Sequence, residues 1–351
     1  MAYISFQPKD HFNTKLYTGN ATDDTAITGV GFQPDWLWGK NRTDATNHYF
    51  IDAVRGVTKE INSNNGDAEG TDATLIKSFD SDGFTLGNGS LNQSSKDFVT
   101  WNWKANGQGS SNTDGTINST YTSVNTTSGF SIVSYTGNGS AGATVGHGLG
   151  QTPACFITKR LSGTSSWGMY HQSTGAGGFM EMNGTSGLQS NVAYFNNTAP
   201  TSSVFSIGTD AVNNTSGSTY IAYCFAEKQG FSKFGSYTGN GNTDGTFVYT
   251  GFKPAMIIFK IYSGGTGSWV MYDNKRNTFN VVNSALFPDL TNAEETADNG
   301  FECEVDMLSN GFKLRGTGNA YWMNQSGWNY IYMAFAEEPL VSSNGVPAVA
   351  R

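Results

Sequence analysis

The sequence predicts an all-β protein of three tandem homologous β-sandwich units, jelly-roll or lectin-like in type. Three observations carry this. The apolar runs are short, β-branched and aromatic, and they stop at Gly, Asn or Asp instead of continuing at helical spacing. The string Tyr-Thr-Gly-Asn recurs from Tyr17, Tyr135 and Tyr237. Each copy leads through a glycine-rich segment to a proline and then to an apolar strand closed by lysine.

The elements follow in order. The lysine strands are Pro34–Lys40, Pro153–Lys159 and Pro254–Lys260, and proline and lysine stand 6 residues apart in each. Tyrosine precedes proline by 17, 18 and 17 residues. Further strands open near Phe84, Phe205 and Phe312, and each copy ends on an aromatic strand, Phe98–Trp103, Tyr220–Phe225 and Tyr330–Phe335. Trp36 and Trp38 alternate with Leu37, as Trp101 and Trp103 do with Asn102, which is core patterning for a strand. Trp167 and Trp269 follow the lysine strands at equivalent places. The expected core therefore includes Trp36, Trp38, Phe156, Tyr223, Phe225, Phe259 and Phe335. The expected organisation is an N-terminal arm 1–12, repeats 13–105, 129–228 and 229–338, a Gly/Ser/Asn-rich linker 106–128 and an extended tail 339–351.

Composition narrows the function. The 351 residues carry 20 Lys and Arg against 28 Asp and Glu, a formal charge of −8. A nucleic-acid partner needs a basic patch, so none is expected. Charged residues are only 14% while aromatics reach 13%, which describes a packed protein with a hydroxyl- and amide-rich surface. No apolar run approaches the ~18 residues of a membrane span, and no secretory signal opens the chain, so synthesis in a cytoplasm without membrane insertion is expected. The three cysteines lack metal-ligand spacing.

Catalytic patterns are missing. His11, His48, His147 and His171 have no partners at metal or triad spacing. The acids Asp80, Asp82, Asp273, Glu302 and Glu304 are not shared between repeats, which speaks against a paired-carboxylate glycosidase. Asn240–Gly245 is rich in oxygen ligands, yet an ordinary Asx turn explains it, and Ca²⁺ is not supported. No cofactor and no enzymatic activity are expected. The candidate ligand contacts are Tyr321, Trp322 and Trp328, flanked by Asn319, Asn324 and Gln325, because flat aromatic faces and amides suit a sugar.

The motifs also resemble a family of virion proteins from marine tailed bacteriophages. The resemblance lies in Met1-Ala-Tyr-Ile, Asn13–Asn20, Gly29–Trp36, Lys40-Asn-Arg42, Asp52–Gly56 with Lys59-Glu60, Ser78–Phe84, Thr100–Lys104, Tyr330–Pro339 and Asn344–Pro347. It implies a non-enzymatic structural protein with lectin-like β-sandwich domains, and it brings no catalytic residues. The expected role is a tail-appendage or fibre component that adheres to the host surface. A capsid decoration or head fibre is the alternative, and a virion-borne glycan-degrading enzyme a more distant one. The partners expected are other virion proteins, host-surface glycan and two further copies in a homo-trimer. Residues 1–12 are expected to dock on the virion with the third repeat outward, and the tail is the competing docking arm.

Overall fold

The computed structural model describes residues 6–296, 303–316 and 322–339. The strands of the first repeat are β1 (Phe12–Thr18), β2 (Thr25–Thr28), β3 (Trp36–Asn41), β4 (His48–Asp52), β5 (Lys59–Asn62), β6 (Gly70–Thr71), β7 (Ile76–Asp80), β8 (Gly83–Leu86) and β9 (Asp97–Trp103). Those of the second are β10 (Tyr121–Asn125), β11 (Phe130–Thr136), β12 (Ala143–Gly146), β13 (Cys155–Arg160), β14 (Trp167–His171), β15 (Met180–Glu181), β16 (Val204–Ile207) and β17 (Thr219–Phe225). The third holds β18 (Ser232–Thr238), β19 (Phe247–Tyr249), β20 (Phe252–Ser263), β21 (Val270–Asp273), β22 (Val305–Leu308), β23 (Gly311–Leu314) and β24 (Asn329–Pro339). Among the described residues the α-helix is confined to the single turn α1 (Val192–Phe195). The all-β expectation holds.

The same pairing recurs three times. The strand that opens a repeat (β1, β11, β18) pairs with the one that closes it (β9, β17, β24). The closing strand pairs on its other side with the lysine strand (β3, β13, β20), which pairs with β4, β14 or β21. Every ladder named is antiparallel. A small sheet accompanies each large one, in the orders β2-β8-β7, β12-β16 and β19-β23-β22.

Alternation explains why the large sheets read as unbroken apolar runs. Trp36, Trp38, Trp101 and Trp103 point into one central core, while Leu37 and Phe98 point the other way into the core of the first small sheet. Cys155, Ile157, Tyr223 and Phe225 share that central core, as do Met256, Ile258, Met333 and Phe335. Phe156 and Phe259 turn outward to separate clusters. Each large sheet is thus buried on both faces, and such strands lose the polar-apolar alternation of a half-exposed sheet. All seven core residues expected from the sequence are buried.

Each repeat has a buried cluster of its own, and the inward faces of the three large sheets meet besides in one common core. Trp36 stacks on Tyr223 of the second repeat at a centroid distance of 4.7 Å, and Phe335 of the third meets Trp103 at 5.3 Å and Phe225 at 5.8 Å. At ~1.5–3 kcal/mol for each large apolar side chain buried, this common core is a main source of stability.

Two segments differ from their expected roles. The linker 106–128 carries β10, which extends the second large sheet beyond β11. Its start is anchored, because the Asp35 carboxylate accepts from the Ala105 and Gly107 N–H groups at 2.6 and 3.0 Å. Residues 6–12 are not a free arm. Pro8 and Phe12 are buried, and Phe6 packs edge-on against His11 and Phe231. Residues 1–5 and 340–351 lie outside the described residues, so the docking expectations for the extreme ends fall there.

Candidate functional site

The proposed sugar-binding loop is largely structural. Asn319 and Tyr321 lie outside the described residues. Asn324 is 1% exposed, and its side-chain oxygen accepts from the Asn240 N–H while its amide donates to the Asn242 carbonyl. Asn92 and Asn214 do the same for Asn20 and Asn138. In all three repeats the tyrosine of Tyr-Thr-Gly-Asn donates its hydroxyl to the carbonyl just before this asparagine, at Leu91, Asn213 and Met323. The motif is therefore a clasp between the first hairpin and the loop before the last strand. Trp322 is half-buried edge-on to Phe287 at 5.2 Å, and Trp328 covers the backbone of Gly264 and Gly265. Among the described residues of this group, Gln325 alone is exposed.

The clasp leaves no room at its glycine. A Cβ on Gly19 would run into the Gln93 carbonyl, and the Phe98 ring and Asn92 backbone close the remaining space. Gly19→Ala is expected to lower stability by about 1–3 kcal/mol, the usual cost of overpacking. Urea unfolding checks this, and an unchanged midpoint would show that the loop yields freely.

The strongest electrostatic features lie where the repeats meet. Lys159 donates to the Gly66 carbonyl of the first repeat at 3.0 Å and Lys260 to the Gly184 carbonyl of the second at 2.8 Å. Lys40 donates to the Thr291 carbonyl of the third at 3.1 Å, and the three contacts together close a ring. Each lysine also holds a carbonyl of its own repeat, at Thr46, Ser165 or Gly267. Burial draws Lys40 down to about 7 and Lys159 and Lys260 to about 8. The indoles beside two of them take part. Trp167 donates to the Asn62 and Asn65 carbonyls and Trp269 to the Glu181 carbonyl, each at 3.0 Å.

A second contact crosses each junction at the end of β4, β14 or β21. Asp52 accepts from the Tyr223 hydroxyl at 2.7 Å, and Asp273 accepts from the Trp101 indole at 3.1 Å. His171 meets the Tyr332 carbonyl at 3.3 Å. Each aspartate also binds the arginine three residues on, Asp52 with Arg55 and Asp273 with Arg276, all four side chains being almost wholly buried. Glu294 accepts from both Arg42 and Arg276. Burial works to raise its carboxyl, but these two guanidinium groups hold it below the ordinary range.

A cleft lies beside these contacts among the described residues. About 240 Å³ opens between the first and second repeats, lined by Arg55 and Glu69 on one side and by Tyr121, Ser134, Thr219 and Tyr220 on the other. The β10 strand supplies Tyr121, and among the described residues the other two large sheets have no equivalent of it. Among the described residues no group of three or more His, Cys, Asp or Glu is placed to hold a metal ion. The three cysteines are buried. No helix among the described residues is long and apolar enough to cross a membrane.

A family model described as a domain of unknown function (DUF7483) matches residues 7–339. The chain belongs to this family. No curated protein and no solved structure matches it. The DUF7483 match runs unbroken across all three repeats, as the common core does.

Sequence reasoning missed the exposed aromatics of this DUF7483 chain. Phe247 and Tyr249 on β19 are 45% and 57% exposed, and Phe279 reaches 76%. Phe247 and Tyr249 alternate with a buried valine, and alternation alone does not say which face is covered.

The histidines of the ring give a pH dependence with a definite sign. Burial pulls His171 from 6.5 to about 4, and burial with Lys40 and Arg276 nearby holds His48 well below its ordinary value. The unfolded chain therefore binds more protons than the folded one between pH 6.5 and about 4. Their contribution is complete above 6.5 and is lost on acidification through that window. For His171 alone the loss amounts to about 3 kcal/mol. His171→Gln is expected to flatten the fall of the unfolding midpoint between pH 6.5 and 4. A slope equal to that of the unsubstituted chain would place the acid sensitivity elsewhere.

Proposed function

We propose that this protein is a non-enzymatic bacteriophage virion component, of tail-appendage or fibre type, that adheres to the host surface. On this reading the three repeats are homologous β-sandwich units fused into one ring. The observation that carries the proposal is the use to which the buried charges are put. Lys40, Lys159, Lys260 and the two Asp–Arg pairs bind the repeats to one another, which suits a rigid part working outside the cell. The three-fold arrangement expected of a homo-trimer is then supplied within a single chain. Sequence resemblance to marine phage virion proteins points the same way.

The cleft between the first two repeats is where a sugar fits this reading. Its volume suits a single pyranose ring, and tyrosine faces with nearby hydroxyls and one charged pair are the groups that orient such a ligand. Mass spectrometry and immunogold labelling of purified particles test the location. We expect the chain in the particle, on the tail, and its absence from particles would reject the proposal. Incubation with host polysaccharide is expected to release no reducing ends, and release would make it an enzyme. Tyr121→Ala is expected to reduce adsorption of particles to cells while leaving the unfolding free energy within about 1 kcal/mol, as for a partly exposed side chain.

A further inference from the structure

The three small sheets provide an internal comparison. Phe84, Phe205 and Phe312 occupy the same ladder position, opposite Ile27, Val145 and Val248. The neighbouring positions on the other face are Ala26 and Thr28 in the first repeat, both exposed, and Thr144 and Gly146 in the second, where Asn112 covers Gly146. In the third they are Phe247 and Tyr249. Two small or hydroxyl-bearing pairs thus correspond to one pair of exposed aromatic rings.

The edges differ as well. In the second repeat a segment of the chain already lies along β12, bridged at Ile117. Ile117 donates its N–H to the Thr144 carbonyl at 2.9 Å, pairs in parallel with Val145 and buries its side chain in the core beneath. That segment comes from the 106–128 connection. The connection into the third repeat is only Lys228–Gly230, too short to supply such a segment to β19. No described part of the chain pairs along that edge, since β19 has β23 as its sole neighbour in the sheet. By equivalence with Thr144, the Phe247 carbonyl points to the open side. Native edges are usually guarded by charge, proline or a bulge. The run Thr246-Phe-Val-Tyr-Thr250 has none of these.

We infer that β19 pairs with β19 of a second copy of this chain, edge to edge and antiparallel, with the two Val248 residues facing across a two-fold axis. The run is self-complementary in this register. Phe247 of each copy stands opposite Tyr249 of the other on one face of the joined sheet, a cross-strand aromatic pair occurring twice. An isologous contact of this kind closes on itself and stops at two. Charge does not oppose it. Behind the edge, Lys313 on β23 is already paired with Asp244, and Arg315 just after it with Asp306, so neither copy presents a net field to the other. The joined sheet runs β22-β23-β19 and then the same three strands reversed in the second copy.

Sedimentation of the full chain over a dilution series tests this. The expected result is twice the 37.6 kDa chain mass at the concentrated end. A single-chain mass throughout would overturn the inference, as would a trimer. Phe247→Lys with Tyr249→Lys, both at exposed positions, is expected to abolish the dimer without moving the thermal midpoint. Phe279→Lys is the control, because Phe279 adjoins Asn280, which bonds to Met307 on β22, at the opposite side of this sheet. It is expected to leave the dimer intact. A dimer that survives the double substitution, or that is lost with Phe279→Lys, would place the contact elsewhere and overturn the assignment.

Discussion

Asp273→Ala is expected to destabilise the protein by about 3–5 kcal/mol, the cost of stranding a buried charge. Arg276 has a fully buried side chain, and its Nε donates to Asp273 Oδ2 at 2.6 Å. The same oxygen accepts from Trp101, and Oδ1 accepts from the Lys275 and Arg276 N–H groups. Removing the carboxylate leaves a guanidinium facing Glu294 alone, together with an indole N–H and two amides that have lost their acceptor. Chemical denaturation reads the loss directly. The double variant Asp273→Leu/Arg276→Met is expected to lose less than the single one, because neither charge is then left unpaired. Equal losses would show that the pair acts through packing and not through charge.

Lys40→Met is the second large effect, at about 1–3 kcal/mol, from the Thr46 and Thr291 carbonyls that lose their donor. This loss has a pH dependence of its own. Lys40 stands at about 7 in the folded chain against 10.5 when unfolded. Between those values the unfolded chain binds more protons, so the stability contributed by the lysine rises with pH. The difference between the unsubstituted chain and Lys40→Met should therefore grow from pH 7 to pH 10. A difference that shrinks over that range would mean that the amine stays charged and needs its charge to hold the carbonyls.

The sequence makes some of this visible and hides the rest for physical reasons. Strand positions and the aromatic core are legible because alternation and turn residues are local signals. Trp36, Trp38, Trp167 and Trp269 follow from them. The lysine that ends β3, β13 and β20 is equally conspicuous, yet its role is not. Its acceptors are backbone carbonyls at Gly66, Gly184 and Thr291, which any residue would provide, so no side chain marks the far end of the contact. An unbroken apolar run likewise shows that a strand is covered on both faces without showing by what, so the core common to the three large sheets is not visible in it. Asn324 is the instructive case. Polar and set among aromatics, it reads as a ligand contact, although Asn92 and Asn214 stand at the matching place in the other repeats. A side chain repeated three times in one frame serves the frame.

The closed ring also sets the order in which the molecule can be made. Lys40 and Thr291 are 251 residues apart, and Arg42 and Glu294 are 252 apart. While the chain emerges from the ribosome, the first two repeats can pair their strands, but the aromatic faces around Trp103 and Phe225, touched there by Trp36 and Phe130, stay partly open until Phe335 arrives. Loop closure over such separations is slow, and a partly open aromatic face invites self-association in the meantime. Refolding should accordingly be slow and dependent on concentration, with chains stopped before the third repeat prone to aggregate. The final strand thus serves as the keystone of the fold.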